Sequence, residues 1–61
     1  MKRRDLLKHL KKNGCELVRE GGKYSIYVNP AKEIEVPVTR HPEIAGFAAR
    51  KICKALEIDL I

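Results

Sequence analysis

The run Gly21-Gly22-Lys23-Tyr24-Ser25-Ile26-Tyr27-Val28-Asn29-Pro30 constrains the fold more than any other stretch of this chain. It reads as a turn, a strand and a second turn. The Gly-Gly pair gives the backbone the freedom that a tight reversal needs. Tyr24, Ile26, Tyr27 and Val28 are aromatic or β-branched, types that suit a pleated surface. Asn29-Pro30 punctuates the next turn. Segments on either side supply the neighbours that such a strand needs. Cys15 to Arg19 predicts a strand before it. Ile34 to Val38 predicts a strand after the Asn29–Glu33 turn. Ile34, Val36 and Val38 face one way there, and Glu33, Glu35 and Pro37 the other. Pro37 has no N–H for a ladder, which places this strand at an edge or at a bulge. Three strands in series on short turns predict an antiparallel meander.

Lys2 to Asn13 predicts a helix, with Leu6, Leu7 and Leu10 on one side and Arg4, Lys8, Lys11 and Lys12 on the other. Asp5 suits the positive end of its dipole, and Lys11 and Lys12 the negative end. Gly14 is its natural stop. The cationic ridge is either a phosphate-binding stripe or an ordinary solvated face. A second helix is expected from about Ile44 to Leu56. Ala45, Ala48, Ala49, Ile52 and Leu56 fall on one side of it, and Arg50, Lys51 and Lys54 on the other. Phe47 lies among these cations. It is either an exposed contact for a partner or a base, or a ring tucked under a loop. The apolar tail Ile58-Asp59-Leu60-Ile61 either completes the core or docks on another chain. Each helix has one apolar side, and the sheet needs a cover. The expected fold is therefore α+β, in the order α-β-β-β-α. Both helices lie on one face of a three-stranded antiparallel sheet, whose other face is open.

Sixty-one residues suffice for one domain, spanning 1–61. A domain of this size buries only about 60% of the surface of its unfolded chain, so a partner is a natural source of further stability. Thirteen Lys and Arg against eight Asp and Glu give a net charge of +5. That balance fits a polyanion such as nucleic acid, or simply a soluble basic surface. Cys15 and Cys53 form no CxxC pattern, and no His, Cys and carboxylate cluster has ligand spacing. No metal and no organic cofactor is expected. The apolar runs are too short for a secretion signal or a membrane span, which favours the cytoplasm and reduced, buried thiols. His9, near the edge of the basic face, reads as a surface residue.

Four features together resemble the HicA toxins of bacterial and archaeal toxin–antitoxin pairs. They are the Lys-Arg-Arg-Asp-Leu-Leu-Lys helix ending in Lys-Asn-Gly14, and Glu16-Leu17-Val18-Arg19 followed by Glu-Gly-Gly. The third is Ile26-Tyr27-Val28-Asn29-Pro30, and the fourth is Arg40-His41-Pro42-Glu43-Ile44 leading into Lys51-Ile52-Cys53-Lys54. The resemblance spans nearly the whole chain. It implies a fold like a double-stranded-RNA-binding domain and a toxin that cleaves mRNA without a metal. It also implies a HicB-type antitoxin as partner, with the toxin a monomer alone or a hetero-oligomer with that antitoxin. Family members carry a histidine just after the Gly-rich turn. Here that position falls on Tyr24, or on Ser25 if the register slips by one. Thr39 and Glu57 stand where the family often has proline and glycine.

RNA cleavage without a metal turns the ribose 2′-hydroxyl on the adjacent phosphorus. A base must take its proton, and an acid must protonate the leaving oxygen. Imidazole, with an ordinary pKa of ~6.5, suits both tasks. A phenol, at ~10, is a poor base at neutral pH. The expected catalytic positions are Tyr24, as the place of the family histidine, and His41 as a substitute imidazole, with a structural or antitoxin-contacting role as the other reading of His41. Arg19, Lys23, Arg40, Lys8 and Lys12 offer cations for RNA phosphates, and Tyr27 offers a ring for stacking. Strand alternation puts only one of Tyr24 and Tyr27 on the open face. The alternative reading is a non-catalytic RNA-binding or antitoxin-binding module on the same fold.

Overall fold

A computed structural model describes residues 1–61. Its elements are α1 (Arg3–Lys12), β1 (Glu16–Glu20), β2 (Tyr24–Asn29), β3 (Ile34–Thr39) and α2 (Gly46–Ala55). The strands form one sheet in the order β1-β2-β3, antiparallel throughout, which is the expected meander. Pro37 lies on the edge strand β3, where the missing N–H is tolerated. Ser25, Tyr27 and Asn29 of β2 face the helices, together with Ile34, Val36 and Val38 of β3. Tyr24, Ile26 and Val28 point to the other face.

Leu6 and Leu10 of α1, Ala49, Cys53 and Leu56 of the α2 region, and Cys15, Val38 and Ile44 form one buried cluster. Both helices therefore cover the same face of the sheet. Burial is the main influence pushing the Cys15 and Cys53 thiols above their ordinary range, and each stays a neutral packing group.

The buried side of α2 is centred on Ala49 and Cys53, whereas Ala45, expected on that stripe, is exposed. The reason lies before the helix. Ile44 N–H donates to the Met1 carbonyl at 2.8 Å, and the Met1 amino group donates to the Ile44 carbonyl at 3.0 Å. Lys2 and Glu43 complete this short antiparallel bridge. It holds Ala45 extended, so the helix starts at Gly46.

Both helices end in the same way. Cys15 N–H reaches the Leu10 carbonyl and Gly14 N–H the Lys11 carbonyl, while Gly14 sits at φ +86°. Ile58 N–H reaches the Cys53 carbonyl and Glu57 N–H the Lys54 carbonyl, while Glu57 sits at φ +56°. This pairing of bonds requires a left-handed residue just past the helix. Glycine takes that conformation freely, and a residue with a Cβ is strained in it. Glu57→Gly is thus expected to stabilise the fold by about 1 kcal/mol, seen as a rise of roughly 4–8 °C in Tm. The partner it gives up, Lys32 at 3.7 Å, is an exposed surface pair of little worth.

Asn29, expected only as turn punctuation, is the last residue of β2 and is buried. Its Nδ2 donates to the Leu56 carbonyl at 2.7 Å, occupying a free acceptor at the end of α2. Asn29→Ala should cost about 1–3 kcal/mol in urea denaturation, because it leaves a buried carbonyl without a donor.

Candidate nucleic-acid interface

The Gly-Gly turn closes on a hydrogen bond from Gly21 N–H to the Tyr24 carbonyl at 2.8 Å. This sets the register in which Tyr24, the first residue of β2, pairs with Thr39, the last of β3. The chain leaving Thr39 must then run beside the chain entering Tyr24. Arg40 N–H donates to the Lys23 carbonyl at 3.3 Å, and His41 N–H to Thr39 Oγ1 at 3.4 Å. The result is a shallow cleft of about 410 Å³ lined by Gly22, Lys23, Tyr24, Thr39, Arg40, His41 and Pro42.

A polar chain braces this end of the sheet. Arg3 Nε donates to the Thr39 carbonyl at 2.7 Å, and Arg3 Nη2 to Ser25 Oγ at 2.8 Å. Ser25 Oγ donates to Glu20 Oε1 at 3.0 Å. Glu20 Oε1 in turn lies 3.5 Å from Arg40 Nη1, which also donates to the Gly21 carbonyl at 3.1 Å. The chain ties α1 to all three strands and aims Arg40 across the turn. It also separates Tyr24 from Ser25. Ser25 is fully buried and its hydroxyl is engaged on both sides, so it faces no ligand. Tyr24 is half exposed and lines the cleft.

A second depression, lined by Lys2, Arg3, Arg4, Arg40, Pro42 and Glu43, shares Arg40 and Pro42 with the first. Cationic ground therefore continues from Lys23 over Arg40 to the start of α1. Such a run is the electrostatic footprint that a phosphate backbone selects.

Of the residues expected at the site, Tyr24, Lys23, Arg40 and His41 come together. Arg19 pairs with Ile26 on the open face and is exposed, outside the cleft lining. Tyr27 packs half-buried against the core on the helix side, so of the two rings it is Tyr24 that faces out. Lys8 lines a different groove, between α1 and β1, and Lys12 is exposed near the end of α1. Phe47 is 70% exposed, which decides its two readings for the open one. His9 is half-buried, with Nε2 2.6 Å from the Asp59 carbonyl oxygen, and ties the C-terminal tail to α1. Ile58 packs on the core, and Leu60 and Ile61 remain about half exposed. Sequence alone does not mark Arg3, Glu20 and Thr39 as site residues; the opposite charges of Glu20 and Arg40 are the sole hint, because only the strand register shows that they meet.

These features define a small basic α+β domain with a cationic cleft at the hairpin end of its sheet. The family model described as "HicA toxin of bacterial toxin-antitoxin" matches residues 3–58, and the chain belongs to this family. It is a toxin of a toxin–antitoxin system, and an antitoxin is its partner. No curated protein and no solved structure matches it. No helix is long and apolar enough to cross a membrane.

Proposed function

We propose that the chain is a metal-independent endoribonuclease acting on mRNA, held in check by a HicB-type antitoxin in the cytoplasm, and that Tyr24 leaves it a weak one. The observation that carries this reading is the meeting of Tyr24, His41, Arg40 and Lys23 in one cleft. Each has a role there. Lys23 and Arg40 hold the phosphate that is attacked. The Tyr24 ring stacks on an adjacent base. His41, the one imidazole in the cleft, takes the 2′-hydroxyl proton. The phenol of Tyr24 lies on the same cleft and can donate a proton to the leaving oxygen, but it is a poor replacement for a second imidazole.

The decisive assay is cleavage of an mRNA in chelator by the chain, by Tyr24→His and by His41→Ala. Slow cleavage that His41→Ala abolishes supports the reading. If neither the chain nor Tyr24→His cuts, the ribonuclease reading fails. A second reading, RNA binding without cleavage, is favoured by the exposed Tyr24 ring where the family has its histidine. In that case RNA affinity falls with salt while no product forms.

A further inference from the structure

A second, chemically different site lies between α1 and β1, and it meets the cationic ground of the first at Arg4. A groove of about 660 Å³ separates α1 from β1. Leu7, Cys15, Leu17 and Tyr27 give it an apolar floor, and the rim carries three cations, Arg4, Lys8 and Lys11, against one carboxylate, Glu16. Beside it runs β1, an edge strand whose five residues are all exposed, with Leu17 at 48% and Val18 at 49%. One side of β1 pairs with β2, with a bulge at Val18 between Leu17 and Arg19, and the other side leaves backbone donors and acceptors unpaired on either side of that bulge.

We propose that this groove is the docking site for an extended acidic segment of the antitoxin, which adds to β1 as a fourth strand. Edge addition uses main-chain hydrogen bonds for affinity and alternate side chains for specificity. Side chains on one face of the added strand enter the groove against Leu7, Leu17 and Tyr27. Carboxylates flanking them meet Arg4, Lys8 and Lys11. The rim chooses the occupant. A second copy of this chain brings its own Arg4, Lys8 and Lys11 to the same place. Antiparallel pairing of two β1 strands about Val18 also sets Glu16 opposite Glu20, like charge against like. RNA is disfavoured by the floor, which offers aliphatic side chains and one half-buried ring rather than exposed stacking surfaces. The proposal rests on the antitoxin half of the reading above and not on the cleavage half.

The experiment titrates the antitoxin of the pair against the intact toxin and two charge reversals. One is Lys8→Glu with Lys11→Glu, at the groove. The other is Lys51→Glu with Lys54→Glu on α2, which alters net charge equally. Both pairs are exposed, so the fold is retained. The groove pair should weaken binding about tenfold or more, and the α2 pair by less than about threefold. Amide exchange over Glu16–Glu20 should slow in the complex. Equal loss in both variants, no loss in either, or unprotected β1 amides would each overturn the proposal. So would two other results: a toxin dimer that the groove reversals dissolve, or a groove variant that loses RNA affinity and keeps antitoxin. Cleavage by the toxin alone is measured separately, so failure of the ribonuclease reading leaves this result unaffected.

Discussion

Tyr24→His should raise the rate of RNA cleavage in chelator by about 10²–10⁴-fold, the usual worth of a positioned general base or acid. That factor corresponds to roughly 3–5 kcal/mol of barrier. The substitution needs no rearrangement. Tyr24 is half exposed at the first position of β2, its backbone is fixed by Thr39 and Gly21, and an imidazole is smaller than a phenol. With histidine there, the cleft holds two imidazoles, one to take a proton and one to give it. The rate should then follow a bell-shaped pH curve, with limbs set by the two rings. His41→Ala in the Tyr24→His background should remove the second limb. The measurement is product formation against time across pH 5–9. An unchanged rate would mean that the reacting phosphate sits elsewhere.

Leu10→Ala is the substitution expected to harm the fold most. Leu10 is fully buried, and only eight hydrophobic residues make up the buried cluster. Removing a buried leucine side chain costs about 2–5 kcal/mol through lost transfer energy and the cavity left behind. A domain of 61 residues has a total stability of roughly 3–9 kcal/mol, at about 0.05–0.15 kcal/mol per residue. A single change can therefore take from about a quarter of it to all of it. Alanine is the better helix former, so the loss cannot be blamed on α1 itself. The check is urea denaturation followed by far-UV circular dichroism, where the midpoint should fall sharply with little change in slope. Leu17→Ala, on the exposed edge, should move the midpoint far less.

Much of the candidate site was legible as a set of residues and not as a place. Cations, two rings and an imidazole were visible in the sequence. Which of them meet depends on one register: Tyr24 against Thr39 brings His41 and Arg40 to the hairpin. The same alternation turns Tyr27 inward to the core, because Ser25, Tyr27 and Asn29 share the helix side. Lys8 and Lys12 stayed away from the cleft for a similar reason. The helix stripe that buries Leu6 and Leu10 carries them elsewhere on the surface.

The sequence by itself determined the order of elements and the meander, and it confined Pro37 to an edge or a bulge, of which the strand order shows the edge. These follow from short-range causes: side-chain period, glycine at Gly14 and Gly21-Gly22, and a proline without a donor. Only the tertiary structure decided the rest. The Met1–Ile44 bridge shortens α2 and moves its buried side to Ala49 and Cys53. The chain from Arg3 through Ser25 and Glu20 to Arg40 joins residues far apart in sequence. Such contacts depend on how elements pack and register against one another, and no local pattern of side chains encodes that distance.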